Sequence, residues 1–127
     1  MKSNKIISYG FFLLALSVAI GAFGAHSLKP ILLANNRLDT FQKAEFYQFI
    51  CSFAIVILGL LQKEYPEINF KLDFNCILAS ILLFSGSLYA LCFTNVGLFG
   101  AITPIGGILM IFAFANIGQK VYRNSHN

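Results

Sequence analysis

The stretch Ile6–Ala25, IISYGFFLLALSVAIGAFGA, decides the fold: it runs for twenty residues without a charge. A helix rises 1.5 Å per residue, so about 20 apolar residues cross the roughly 30 Å of a bilayer's hydrocarbon. Lys2 and Lys5 precede the stretch and Lys29-Pro30 follows it. A basic start before an apolar run also suits a secretory leader, but this run is long for one and no polar region precedes a cut. It reads as a first transmembrane helix, ended at Lys29-Pro30 because the residue before proline is disfavoured in helical geometry.

Three similar runs lie downstream. Asp39 and Thr40 are candidate caps for a second span over about 40–61, and Asp39 with Gln42 fits a capping box. The charged stretch Gln62–Leu72, QKEYPEINFKL, is a solvent loop, and Asp73 suits the start of a third span over about 74–93. A Gly-containing turn over Thr94–Ile102 leads to Thr103-Pro104, a favourable cap and first position for a fourth span over about 104–122. Between the first two spans, Ile31–Leu38 is too short to cross and is expected at the interface as a turn or short amphipathic helix. The expectation is an all-α, four-helix transmembrane bundle with short loops, a single domain over residues 1–127.

Composition agrees. The 127 residues are 57% hydrophobic and 11% charged, with a mean hydropathy of +0.74. Soluble domains carry about 25% charged residues, so a water-facing surface could not be clothed. The net charge of +4 comes from scattered bases rather than a cluster, which argues against nucleic acid and for anionic lipid headgroups. Lys2, Lys5, Lys63, Lys71, Lys120 and Arg123 fall on the side of the termini; Lys29, Arg37 and Lys43 fall on the other. The excess predicts both termini on the cytoplasmic side. Cys51, Cys76 and Cys92 sit in apolar runs without Cys-x-x-Cys spacing, so they read as small buried hydrophobes.

Few residues offer chemistry. In the first helix Gly10, Ser17, Gly21 and Gly24 share one side, a pattern that lets helix backbones approach where lipid removes the hydrophobic drive between helices. Gln42, Glu45, Gln48 and Ser52 fall within an arc of roughly 120° on the second helix. Glu45 is either an interfacial acid favoured by the helix N-terminus or part of a polar seam binding a headgroup or a proton. His26 lies on the same side, so a His26–Glu45 hydrogen bond is expected; with Gln42, Tyr47 and Gln48 these residues make the candidate polar cluster. Ser85, Gly86, Ser87 and Tyr89 on the third helix, and Thr103, Pro104, Gly106 and Gly107 on the fourth, read as packing and interface residues. Ser85-Gly86-Ser87 has neither a neighbouring histidine base nor the Gly-x-Ser-x-Gly arrangement, and Gly106-Gly107 lacks the longer glycine signature and lysine of a phosphate loop. No metal, cofactor or catalytic constellation is expected.

Four segments in order, GAFGAHSLKP (Gly21–Pro30), AEFYQ (Ala44–Gln48), LFSGSLYAL (Leu83–Leu91) and ITPIGG (Ile102–Gly107), resemble the signatures of the small membrane proteins grouped as domain of unknown function 423, related to transmembrane protein 256. The resemblance covers essentially the whole chain. It implies four spans in the bacterial inner (plasma) membrane or its eukaryotic equivalents, and no established activity. Family members commonly place a histidine where this chain has Cys51, and Gly-Trp where it has Ala113-Phe114, so a paired-histidine metal site is not expected. Three functional classes follow: a non-enzymatic accessory, assembly or lipid-interacting factor; a small oligomeric transporter or proton-linked module using Glu45; and, least favoured, a membrane-embedded enzyme. The expected partners are membrane lipids and a larger membrane complex or a second copy of the chain.

Overall fold

The structure, a computed structural model, describes residues 2–126. Five helices follow one another: α1 (Ser3–His26), α2 (Lys29–Ala34), α3 (Leu38–Glu64), α4 (Lys71–Thr94) and α5 (Gly97–Asn124). All except the six-residue α2 are long and apolar enough to cross a membrane. Helix is the form such runs must take, because every backbone N–H and C=O in hydrocarbon needs a partner within the segment.

The four long helices alternate in direction. One end of the molecule holds the start of α1, the α3–α4 loop and the end of α5; the opposite end holds α2 and the α4–α5 turn. Packing is sequential rather than closed. α1 lies along α3, α3 lies along α4, and α4 lies along α5. Only 17% of the spanning stretch of α1 and of α5 is buried, against 39% in α3 and α4. The middle helices therefore carry the core, while the outer two give most of their surface to lipid. That core joins Ile6, Cys51, Ile55, Leu58, Phe70, Phe74, Ile77, Met110 and Ala113.

Several helix ends differ from the sequence expectation. α5 begins at Gly97, not at Thr103-Pro104, and Pro104 sits inside it. The reversal is compressed into Thr94–Val96, where Asn95 takes a left-handed conformation (φ 53°) that its short polar side chain tolerates. Pro104 removes one intrahelical donor, a loss that membrane helices tolerate when neighbouring groups rebond. Thr103 is thus no cap: its hydroxyl donates back to the Phe99 carbonyl at 3.2 Å. Likewise α3 starts at Leu38, and Asp39 pairs with Lys43 (2.9 Å) instead of capping. Pro30 opens α2 near its first position rather than closing α1, which ends four residues earlier at His26.

A feature the sequence reading did not anticipate lies in α4. Ile81–Gly86 is wound as a π-helix, with α-helical geometry on both sides. The wider turn lies against Gly106 of α5. A Cβ on Gly106 would lie 2.8 Å from the Leu83 carbonyl carbon and 2.9 Å from the Phe84 Cα. Gly10 similarly abuts the Val56 backbone nitrogen, and Gly59 the Ile7 nitrogen, across the α1–α3 crossing.

Candidate functional site

Polar side chains gather in three places. The first is a seam between α3 and α4 that runs inward from the α2 end. Gln48, 2% exposed, accepts a 2.6 Å hydrogen bond from the Tyr89 hydroxyl. Ser85, in the π-turn, donates to the Ala44 carbonyl of α3 at 2.7 Å. Ser87 shares a 2.6 Å hydroxyl–hydroxyl contact with Thr103 and so ties α4 to α5. Deeper in, the Cys51 thiol lies 3.7 Å from the Ser80 hydroxyl, and Ser52 returns its proton to the Gln48 carbonyl (2.6 Å). Each bond replaces water that the bilayer does not supply.

Glu45 lies at the outer margin of this seam. It is half-buried, and its carboxylate lies directly against Gly21 of α1, where any Cβ would overlap it. The same carboxylate borders a recess of about 110 Å³ between the end of α1 and the start of α3, lined by Gly21, Gly24, Ala25, Leu38, Phe41 and Gln42. Among the described residues Glu45 makes neither an ion pair nor a hydrogen bond.

Of the other members of the predicted polar cluster, Gln42 stays beside Glu45 at the recess, while His26 and Tyr47 lie elsewhere. His26 is exposed in the last turn of α1, and its expected hydrogen bond to Glu45 is not formed. The chain turns at Ser27 into α2, which packs against the start of α3 and the end of α4. Tyr47 faces a different neighbour, packing against Phe84 with ring centroids 4.6 Å apart. Gln42 is exposed at the rim of the recess. Of the packing candidates, Gly10, Ser17 and Gly24 are buried on one stripe of α1, and Gly24 meets the Phe41 ring. Gly86 and Gly107 differ from Gly106: a Cβ on either would make only ordinary contacts, at 3.7 Å and 3.6 Å. Neither position owes its glycine to close packing.

The second polar site was not singled out from sequence. At the opposite end, Asp73 is fully buried in the first turn of α4. Asn116 of α5 donates to one of its oxygens at 2.6 Å, and Lys120, one turn further on, pairs with the other. Lys120 also donates to the Asn69 carbonyl (2.7 Å) and lies 5.6 Å from the centre of the Phe70 ring. The i, i+4 spacing of Asn116 and Lys120 is the only trace in the sequence; nothing local links them to an acid more than forty positions earlier.

At the α2 end a third set of bonds closes the loops. Asn35 donates to the Cys92 carbonyl (2.9 Å), and Arg37 donates to the Asn95 side chain (2.8 Å). Both satisfy acceptors at the C-terminus of α4, where a cation is also favoured by the helix dipole.

Comparison with known proteins identifies the kinship. Residues 20–107 match the family model described as "Protein of unknown function (DUF423)". The chain belongs to the DUF423 family. Its relatives include the UPF0382 membrane protein SAB0533 of Staphylococcus aureus, 38% identical over 78% of this chain and 80% of that protein. The UPF0382 membrane protein of Haemophilus influenzae is 34% identical over 91% and 88%, and YwdK of Bacillus subtilis 32% over 80% and 83%. No solved structure matches the chain. The DUF423 match spans Gly21, Glu45, Gln48, Ser85, Tyr89 and Gly106, and stops short of Asn116 and Lys120. Four apolar helices and bacterial relatives that are themselves membrane proteins make this chain an integral, multi-pass membrane protein.

Proposed function

We propose that this DUF423 protein is a non-catalytic accessory or assembly factor of the bacterial inner (plasma) membrane, acting through contacts with lipid or a membrane-protein partner, with both termini in the cytoplasm. One observation carries the reading. The buried polar side chains bond to neighbouring helices or to their own backbone: Gln48 with Tyr89, Ser85 with Ala44 and Ser87 with Thr103 tie helices together. Among the described residues no buried side-chain nitrogen or oxygen lacks a partner. An enzyme or carrier directs such groups at a substrate; here they face one another. The peripheral helices meanwhile present large apolar side chains outward, such as Phe12 and Ile111, each 71% exposed.

Photo-crosslinking side chains placed at Phe12 and Ile111 in native membranes test this. The expected result is a discrete protein or lipid adduct at one or both positions. A diffuse background identical to that of an unrelated four-helix protein overturns the reading.

A second reading, a small oligomeric proton-linked permeation module, is favoured by the unpartnered carboxylate of Glu45 beside its recess. Proton flux in proteoliposomes that is lost in Glu45→Gln supports it; flux that is unaffected removes it.

A further inference from the structure

We propose that the recess between the end of α1 and the start of α3 binds a primary ammonium group, that of an aminophospholipid headgroup, through the carboxylate of Glu45. The proposal rests on the lipid-interacting reading above and names the headgroup chemistry.

Four observations converge on it. First, Glu45 is half-buried and unpartnered, whereas the cations of its end of the molecule are engaged elsewhere or point outward. Lys43 pairs with Asp39, Arg37 bonds Asn95, and Lys29 and His26 are exposed. A carboxylate at the margin of a low-dielectric region is costly when uncompensated, so a counter-charge from outside the chain is the favourable solution. Second, α1 ends at His26 beside the recess. Its last carbonyls and the negative end of its dipole add to the attraction for a cation. The positive end of α3 offers Glu45 little in compensation, since that effect fades within the first turn and Glu45 lies beyond it.

Third, the lining suits an ammonium rather than a metal ion. One carboxylate and the Gln42 amide are too few oxygen ligands for calcium, which takes 6–8, whereas –NH₃⁺ has three donors that carboxylate and amide oxygens can accept. Fourth, the missing side chains at Gly21 and Gly24 let two walls of the recess, the Glu45 carboxylate and the Phe41 ring, settle directly against α1. The carboxylate lies on Gly21, the Phe41 ring on Gly24, and a Cβ at either would overlap it. At about 110 Å³ the space holds a small headgroup but no acyl chain, which stays along the exposed apolar helices.

The full-length protein in nanodiscs provides the test, with phosphatidylethanolamine, phosphatidylcholine and free ethanolamine as probes and bound molecules counted by native mass spectrometry. Phosphatidylethanolamine should be retained over phosphatidylcholine, which lacks N–H donors. Glu45→Gln should reduce that retention about tenfold, as loss of a charge-assisted bond does. Gly21→Ala, which keeps the charge but pushes the carboxylate out of place, should weaken retention as well. Thermal unfolding of both variants alongside the parent separates lost binding from lost fold. Equal retention of the two lipids, or retention unchanged in a folded Glu45→Gln protein, overturns the ammonium site while leaving the lipid-interacting reading standing. Free ethanolamine binding as tightly as the lipid, again dependent on Glu45, keeps the ammonium chemistry but sinks the lipid as its source.

Discussion

Lys120, one turn from the end of α5, holds the carboxylate of Asp73, which is fully buried in the first turn of α4. Two residues far apart in sequence thus close the hairpin α4–α5 at its open end. Its turn, at the other end, lies a whole bilayer away. Asn116 occupies the second carboxylate oxygen, so neither oxygen is left bare.

Removing one partner of this pair should therefore be much worse than removing both. Lys120→Met strands a buried anion and is expected to cost on the order of 3 kcal/mol. The double variant Asp73→Leu/Lys120→Met should recover most of that loss, since a paired buried charge gains little over a well-packed apolar substitute. Equilibrium unfolding in mixed micelles measures both; a double variant as unstable as the single one contradicts the account.

Between α3 and α4, the Tyr89–Gln48 bond is a modest stabiliser. Tyr89→Phe should lower stability by about 0.6 kcal/mol, the average for inter-helix hydrogen bonds in membranes, and by no more than about 1.7 kcal/mol. Combining it with Gln48→Leu should cost less than the sum of the two, because the bond is lost only once. Strict additivity in this cycle shows that the two side chains do not interact.

Adjacent glycines in α5 should respond in opposite ways. Gly106→Val forces side-chain atoms into the backbone of Leu83 and Phe84 and should destabilise by about 2 kcal/mol or more. Gly107→Ala adds a methyl at an ordinary 3.6 Å from the Phe84 ring and should be neutral or slightly stabilising, as alanine favours helix. Thermal unfolding of the pair reads the difference directly, and equal losses show that the two helices do not approach at Gly106.

Topology yields to labelling. The native cysteines are buried, so single cysteines at exposed loop positions report orientation against a silent background. With six bases on one side and three on the other, Asp39→Cys should react with a membrane-impermeant maleimide in intact cells. Glu67→Cys should react only after permeabilisation. The inverted pattern places the termini outside.

The class of the protein was legible from single segments because hydrocarbon imposes its demand locally. A run such as Ile6–Ala25 must satisfy its own backbone and must be long enough to cross, and neither condition refers to a neighbour. The same holds for the small-residue stripe of α1, whose helical period is a property of that segment alone. Glu45 and Gln48 were recognisable as unusual for the same reason: an acid and an amide within an apolar helix stand out wherever they face.

What each of those residues touches was decided by tertiary structure. The start of α5 at Gly97 against the Pro104 signal, the π-turn opposite Gly106, the departure of His26 from Glu45, and the capture of Asp73 by Lys120 all depend on how neighbouring helices lie against one another. A proline reads as a helix start when only its own segment is considered. Inside a membrane, the bonds around Thr103 and the packing of α4 outweigh that preference. Hydrophobic length is summed along one strand of chain, but polar pairing and backbone contact are set by distances between helices, which no stretch of sequence carries by itself.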